Sequence, residues 1–541
     1  MTKRKLQIDR ITPDRVALAK RFFRDQSSVP TNRNAMEKAL RAFAKKSAHS
    51  TLRSDELLAA LKELPKEYSE QWKSTCRKRS IRSQSGVAVI AILTRNFGCP
   101  GKCIYCPTPS GMPKSYLPSE PAVTRAIAAD FSPNKQIRMR LKALDATGHD
   151  TSKIELIVMG GTWSAHPSGY QTSYIRSCFY ALNGGSGGIG SLEEEQKKNE
   201  SALHRCVGLT LETRPDWVTA EEIIKMRKFG CTRVEIGAQT LYDSVHELTN
   251  RGHGVAEIVN ATRLLRNAGL KVVYHMMLNL PGSTPQKDIK MFEKLFSDPR
   301  FCPDQVKIYP CVLTKDAQLV DWYKSGRWTP YTEQELIDTI IAIKKFIPSY
   351  CRVIRVIRDI PGDDILAGSK TSNLRQLLQD KGMKCKCIRC REIRDTKPEK
   401  VELVIREYPT SGGKEIFLSY EDPILDKLIA LLRLRLPESG EDVLFPVLKD
   451  SAIVRELHVY GMHTPVGDKG KDTQHKGLGK KLLQEALSLA KKEGFKKLAV
   501  TSGIGVKDYY RKLGYREEDG YLSTIDIRHS TIDSGCYDRN I

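Results

Sequence analysis

Apolar residues recur along the chain with different periods, and the changes of period divide it. Over residues 1–86 they return every three to four positions, as in 34–46 and 54–64, where Leu, Ala and Phe are set in a basic remainder. That spacing lines one face of a helix and predicts a helical segment without strands. From Val87 short β-rich runs take over at 87–93, 154–159, 207–212, 233–236, 272–278, 306–309 and 352–357. Helical patterns separate them at 122–147, 220–229, 255–267, 285–296 and 333–346. Strands alternating with helices predict a parallel sheet or barrel whose chemistry sits at the C-terminal strand ends. The Gly-rich, then charged, stretch 186–200 reads as an insertion or mobile loop. Beyond residue 390 come strand-like 401–408 and 415–420, a basic helix at 423–434, strand-like 453–460, a helix at 477–493, a strand at 497–501 and a helix at 507–513. The expected organisation is a basic helical segment (1–86), an α/β barrel domain (87–370), a linker (371–400) and a smaller α+β domain (401–541).

Charge sharpens this picture. The 541 residues carry a net charge of +24, and residues 1–86 hold 21 Lys/Arg against 9 Asp/Glu. A field of that sign attracts polyanions, so a nucleic acid is the expected partner and the N-terminal segment the surface that meets it. Arg389, Arg391 and Arg394 are expected to follow the same phosphate backbone. No apolar run reaches 18 residues and Met1 to Lys5 lead into no signal-type core, so a cytoplasmic location and no membrane contact are expected.

The 14 cysteines are unevenly placed. Cys76, Cys178, Cys206, Cys231, Cys302, Cys311, Cys351 and Cys536 are mostly isolated and read as small buried hydrophobes. Cys99, Cys103 and Cys106 form C-x3-C-x2-C directly after an apolar strand. Three thiolates on one loop can hold three irons of a 4Fe-4S cluster and leave the fourth open for substrate. A zinc loop short of one ligand is the alternative, and the aromatic Tyr105 and the barrel that follows count against it. At this point the chain resembles the radical S-adenosylmethionine (SAM) superfamily. The resemblance implies that Gly160-Gly161-Thr162 receives the SAM amino group on bare backbone and that Glu212 and Arg214 hold its ribose and carboxylate.

In the last domain, Gln474-His475-Lys476-Gly477-Leu478-Gly479 precedes a helix that begins near Lys480. Glycines before a helix let successive backbone N–H groups converge, which suits a pyrophosphate. With strand residues Glu456, Leu457, His458 and Val459 upstream and Tyr509 and Tyr510 downstream, the order resembles the GNAT acetyltransferase fold. That implies a splayed strand against the pantetheine of acetyl-CoA and a tyrosine that protonates the departing thiolate; both tyrosines can equally be core residues. Glu456 is open to two readings, a general base if burial raises its pKa or a solvated glutamate at a strand edge.

Radical SAM and GNAT domains in one chain, with Leu211-Glu212-Thr213-Arg214-Pro215-Asp216, His275-Met276-Met277-Leu278-Asn279-Leu280-Pro281-Gly282 and Lys384-Cys385-Lys386-Cys387-Ile388-Arg389-Cys390-Arg391, resemble the catalytic subunit of the Elongator complex and its single-chain archaeal and bacterial homologues. The three-residue gap between Cys99 and Cys103 resembles the prokaryotic type. The resemblance implies an acyltransferase that forms 5-carboxymethyluridine at wobble position U34 of the tRNA anticodon stem-loop, from acetyl-CoA by SAM-derived radical chemistry, with Lys153 contacting acetyl-CoA. Whether the chain self-associates is left open. Cys385, Cys387 and Cys390 are expected to hold zinc with a fourth ligand from elsewhere, Cys311 being favoured. A protein lysine acetyltransferase with a structural iron-sulfur domain is the main rival reading, and a non-catalytic tRNA-binding protein the second.

Overall fold

The computed structural model describes residues 11–30, 33–76, 86–371, 373–394, 396–441, 443–460 and 477–527. Strands β1 (Ala88–Leu93), β2 (Lys153–Met159), β3 (Arg205–Thr213), β4 (Arg233–Gln239), β5 (Lys271–Leu278), β6 (Gln305–Pro310) and β7 (Arg352–Arg355) stand side by side in chain order. Every neighbouring pair is parallel. Helices return the chain between strands, and a sheet wound always in one direction curls into a half-barrel. Val234, Ile236, Tyr274, Met276, Val306 and Ile308 are buried in the main core. The alternate residues Glu235, His275 and Lys307 therefore share the opposite, concave face.

A second sheet has the order β13-β14-β12-β11-β10-β9-β8, built from β8 (Glu402–Thr410), β9 (Gly413–Asp422), β10 (Lys427–Pro437), β11 (Ser451–Val459), β12 (Lys497–Val500), β13 (Arg516–Glu518) and β14 (Tyr521–Ser523). β10 replaces the helix expected at 423–434. Its Leu/Ile/Ala run has no alternation because the strand is central and buried on both faces, so periodicity could not separate strand from helix. The single helix expected at 122–147 is two, Pro121–Ala128 and Pro133–Ala146, broken where Asp130 and Phe131 take positive φ. The stretch 186–200 contains a helix, Leu192–Asn199, started by a capping box of Ser191 and Glu194. Its C-cap Glu200 pairs with Arg511 of the second sheet's domain at 2.7 Å.

The second domain docks on the edge of the half-barrel where strands begin. Glycines at 503 and 505 let that turn close on Arg205 and Val207 at the start of β3. Asp304, at the start of β6, accepts from both Nη atoms of Arg455 at 2.6 and 2.9 Å, and Arg455 also pairs with Glu415 at 2.8 Å. Arg433 joins Asp304 to Glu456. Asp304 and Arg455 have no exposed surface, so these charges are compensated only by one another.

The N-terminal helices Pro13–Arg24, Arg33–Ser47, Ser54–Lys62 and Lys66–Cys76 form a small unit with its own core, where Trp72 meets Phe23 edge to face at 5.0 Å. Burying Met36, Leu40 and Phe43 on one face of the second helix leaves Lys38, Arg41 and Lys45 exposed on the other.

Arg391, expected to face phosphate, is instead 5% exposed and ties the linker to β9 and the following turn through Glu421 and Asp426. Burial raises the Glu421 carboxyl, but Arg406, Arg391 and Ser419 outweigh it and bring it down to about 2. A carboxylate held below its unfolded value of about 4.3 stabilises the fold above that pH and loses the contribution as pH falls towards 2. Glu421→Gln is therefore expected to cost about 3 kcal/mol near neutral pH and progressively less between pH 4 and 2, measured by urea denaturation across that range.

Candidate functional site

The loop after β1 carries Cys99, Cys103 and Cys106 to the C-terminal edge of the half-barrel. Cys99 Sγ lies 3.5 Å from Thr162 Oγ1, on the turn after β2. Cys103 is 3% exposed and receives a hydrogen bond from Arg251 Nη1 at 3.4 Å. The Cys106 hydrogen bond lowers the Cys103 thiol, burial opposes it, and the Arg251 charge helps bring it to about 4. Gly160 has φ 142° and a β-carbon there would run into Thr94, so the turn beside the cysteines requires glycine. Arg214, 5% exposed, gives Nε and Nη2 to Asp216 at 2.9 and 3.0 Å. Its Nη1 is buried without a partner, against Gly101 of the cysteine loop. Three thiols, two glycines at positive φ and a buried guanidinium N–H left without an acceptor suit an iron-sulfur cluster and an anionic ligand beside it.

Below this edge, a row of charge crosses the concave face. Parallel register sets Glu212 beside Glu235 and His275 beside Lys307. His275 Nε2 lies 2.7 Å from Glu235 Oε2, and Lys307 pairs with Glu235 and, at 3.7 Å, with Glu212. Glu212 also accepts from the Tyr116 hydroxyl at 2.6 Å. Burial would raise the Glu235 carboxyl, but Lys307 and His275 hold it well below the usual range. Glu212, Glu235 and His275 come within metal-ligand reach of one another, yet Lys307 already supplies the compensating cation. The sequence reading singled out only Glu212 of this row. The missed signal is a charged or imidazole side chain in the middle of three mainly apolar strands, with His275 and Lys307 at matching register.

At the opposite edge, β11 pairs with β12 only from Ser451 to Val454, so the two strands part beyond Val454. Glu456, Leu457, His458 and Val459 lie in the parted stretch. A β-carbon at Gly479 would stand 3.5 Å from the Tyr509 hydroxyl, 3.6 Å from a Val459 methyl and 3.8 Å from a Leu457 methyl. The splayed strand, the start of helix Leu478–Lys492 and Tyr509 thus meet at one cleft. Gly477 caps that helix with φ 92°, and Lys480 lies in its first turn. Gln474 and Lys476 lie outside the described residues. Tyr509 is 42% exposed, whereas Tyr510 is 6% exposed and packs edge-on against Tyr509 and Tyr515, so the structure separates the two tyrosines. Glu456 cannot serve as a base with a raised pKa. Burial raises it, but Lys271 and Arg433 more than reverse this and hold it ionised. Lys153 opens β2 on the same edge, its ammonium pKa lowered by burial and by Arg205.

The radical SAM superfamily is matched over residues 94–295, the radical SAM C-terminal domain over 303–384, and an acetyltransferase (GNAT) domain over 470–529. The tRNA uridine(34) acetyltransferase of Dehalococcoides mccartyi (strain CBDB1) is 47% identical over 460 residues, 82% of this chain and 99% of that protein. The chain belongs to the tRNA uridine(34) acetyltransferase and Elongator complex protein 3 family. Elongator complex protein 3 of Bos taurus is 39% identical over 508 residues, 89% of this chain and 91% of that protein. The solved structure of the archaeal Methanocaldococcus infernus Elp3 with an N-terminal deletion shares 41% identity and a TM-score of 0.70, covering 81% of this chain and 99% of that one. For a family member, the radical SAM domain implies SAM and an iron-sulfur cluster, and the GNAT domain implies acetyl-CoA. Among the described residues no helix is long and apolar enough to cross a membrane.

The second cysteine group is tighter than the first. Cys385, Cys387 and Cys390 place their sulfurs within 4.8 Å of one another, as a single tetrahedral ion needs. Cys311 does not join them. It follows β6 at the C-terminal strand ends and is buried with Cys103, Ile104 and Leu313. The Cys385 group instead packs near the start of β7, where Ile388 N donates to Cys351 O at 3.0 Å. Cys351, buried beside Cys387, is the neighbouring cysteine.

Proposed function

We propose that this chain modifies the wobble uridine of tRNA at C5, forming 5-carboxymethyluridine from acetyl-CoA with SAM as radical source. Its relatives carry the name tRNA uridine(34) acetyltransferase. The observation that supports the full reaction is the docking of the acyl cleft onto the half-barrel, in one chain with the cysteine loop at the opposite strand ends. A lysine acetyltransferase leaves the cluster-spaced cysteines and the Gly160-Gly161 turn without a purpose.

Cys99, Cys103 and Cys106 hold a 4Fe-4S cluster in this reading, with Gly160, Gly161, Glu212 and Arg214 around SAM. When bound, the cluster and SAM would supply a 5′-deoxyadenosyl radical able to take hydrogen from the acetyl methyl. Joining that carbon to C5 would release the C5 hydrogen as a proton with one electron, which the oxidised cluster can accept, and water would hydrolyse the thioester to leave the carboxymethyl group and CoA thiol. The free Nη1 of Arg214 binds the SAM carboxylate. Gly160 and Gly161 keep side chains away from its amino group. The parted edge of β11 takes the pantetheine, and the first turn of helix Leu478–Lys492 takes the pyrophosphate. Tyr509 returns a proton to the CoA sulfur. Lys153 stands at the edge from which the acetyl group enters the barrel. Cys385, Cys387 and Cys390 bind zinc and brace the linker between the domains, and the Lys38, Arg41 and Lys45 face follows the phosphates of the anticodon stem-loop.

The test supplies acetyl-CoA with a deuterated methyl, SAM, tRNA and a low-potential reductant. Deuterium should appear in 5′-deoxyadenosine, and carboxymethyluridine should appear in the tRNA digest. Unlabelled 5′-deoxyadenosine, or acetylated lysine in place of the nucleoside, overturns the reading. Tyr509→Phe is expected to lower CoA release about 100-fold with the Kd for acetyl-CoA unchanged, read by thiol titration and calorimetry.

A further inference from the structure

Arg251 lies in the turn after helix Asp243–Leu248, between Asn250 at φ 55° and Gly252 at φ 77°. Two successive departures into left-handed backbone throw its side chain inward, under the cysteine loop. The turn is docked on that loop by Ile104 N, which donates to Thr249 O at 3.1 Å. Arg251 is 5% exposed. Its Nη1 donates to Cys103 Sγ at 3.4 Å, its Nη2 to Gly237 O at 2.6 Å, and its Nε is buried without a partner. Position 237 is a glycine that leaves this space free, since a β-carbon there would press on Nη2 at 2.6 Å.

Like the buried Arg227 and Arg266, which donate to backbone carbonyls, this guanidinium has no carboxylate; what sets it apart is that one of its acceptors is a cysteine sulfur. Arg455, Arg433, Arg435 and Arg391, all deeply buried, each pair with an acid. Arg214, on the other side of the loop, pairs with Asp216. Among the described residues Arg251 pairs with none, and the nearby imidazoles of His246 and His253 offer no counter-charge. A buried cation without a counter-charge costs several kcal/mol, so an anion is favoured at this place, and among the described residues the ionisable groups that face Arg251 are the thiols of Cys103 and Cys106 and the Tyr105 hydroxyl.

We propose that Arg251 sets the reduction potential of the cluster, through its hydrogen bond and charge on the Cys103 thiolate. This rests on the reading that Cys99, Cys103 and Cys106 hold that cluster. One added electron makes a thiolate-bound cluster more negative, and a donor and positive charge on a ligand sulfur stabilise the reduced form, which raises the potential. Arg251 is a positioning and tuning residue: it touches the ligand and not the substrate.

The experiment is a spectroscopically monitored redox titration of the anaerobically reconstituted full chain, its Arg251→Lys variant and its Arg251→Met variant, with iron and sulfide counted in each. Arg251→Met should keep its iron while its reduced-to-oxidised ratio at a fixed poise falls about tenfold, a midpoint about 59 mV lower for one electron. Arg251→Lys keeps the charge and should fall between. Equal midpoints with full iron in all three overturn the inference and leave the cysteine reading standing. Loss of iron from both variants overturns it too, because Arg251 then builds the loop. Absence of iron and sulfide from the parent chain overturns the cysteine reading and the inference together.

Discussion

Cys103→Ala is expected to bring 5′-deoxyadenosine release and carboxymethyluridine formation down by about a thousandfold or more, to background. Cys103 is the most enclosed of the three loop cysteines, 3% exposed, and its sulfur is the one that Arg251 addresses. Its removal strips a ligand and strands a buried guanidinium at once, so iron and labile sulfide should fall with activity. Acetyl-CoA binding should persist, since the cleft around Gly479 and Tyr509 lies at the other edge of the barrel. Cys311→Ala is the matched control. Cys311 is also 3% exposed and shares a core cluster with Cys103, and losing it should leave iron content intact at a modest cavity cost. Iron loss from both variants, or from neither, would remove Cys103 from the ligand set.

Asp304→Ala is expected to destabilise the chain by about 3–5 kcal/mol, the largest effect for a residue remote from either site. Asp304 has no exposed surface, accepts twice from Arg455 and once from Val272 N at 2.8 Å, and stands 3.5 Å from Arg433. Truncation leaves two buried guanidinium groups to share Glu415 and Glu456. Lys496→Ala breaks an exposed pair with Asp450 and should cost under about 1 kcal/mol. Chemical denaturation separates the two variants. Because Asp304 joins the half-barrel to the GNAT sheet, nucleoside formation at permissive temperature should fall further than acetyl-CoA affinity does. Equal losses would mean that the network only stabilises and does not align.

The seven strands of the half-barrel were legible because each is short and rich in β-branched residues, and a helical pattern separates each from the next except between β2 and β3, where the helix Ser168–Leu182 was not foreseen. The cysteine spacing and the glycine turns were legible for the same reason, since ligand count and backbone conformation depend on neighbours within a few residues. β10 was not legible. Its residues 428–432 are apolar without alternation, and only partners on both sides made that run a strand.

Side-chain chemistry divides in the same way. Local sequence determined which residues stand on one loop, one turn or one helix start: Cys99 with Cys103 and Cys106, Gly160 with Gly161, Gly477 with Gly479. Tertiary structure decided which distant groups meet. It set Cys311 apart from the Cys385 group, turned Glu456 and Arg391 into buried ion pairs, chose Tyr509 over Tyr510 for the cleft, and brought Arg251 to Cys103 across 148 positions. The reason is physical: short-range spacing is carried by fixed backbone geometry, while a buried charge is settled by whichever opposite charge the packed fold brings within reach.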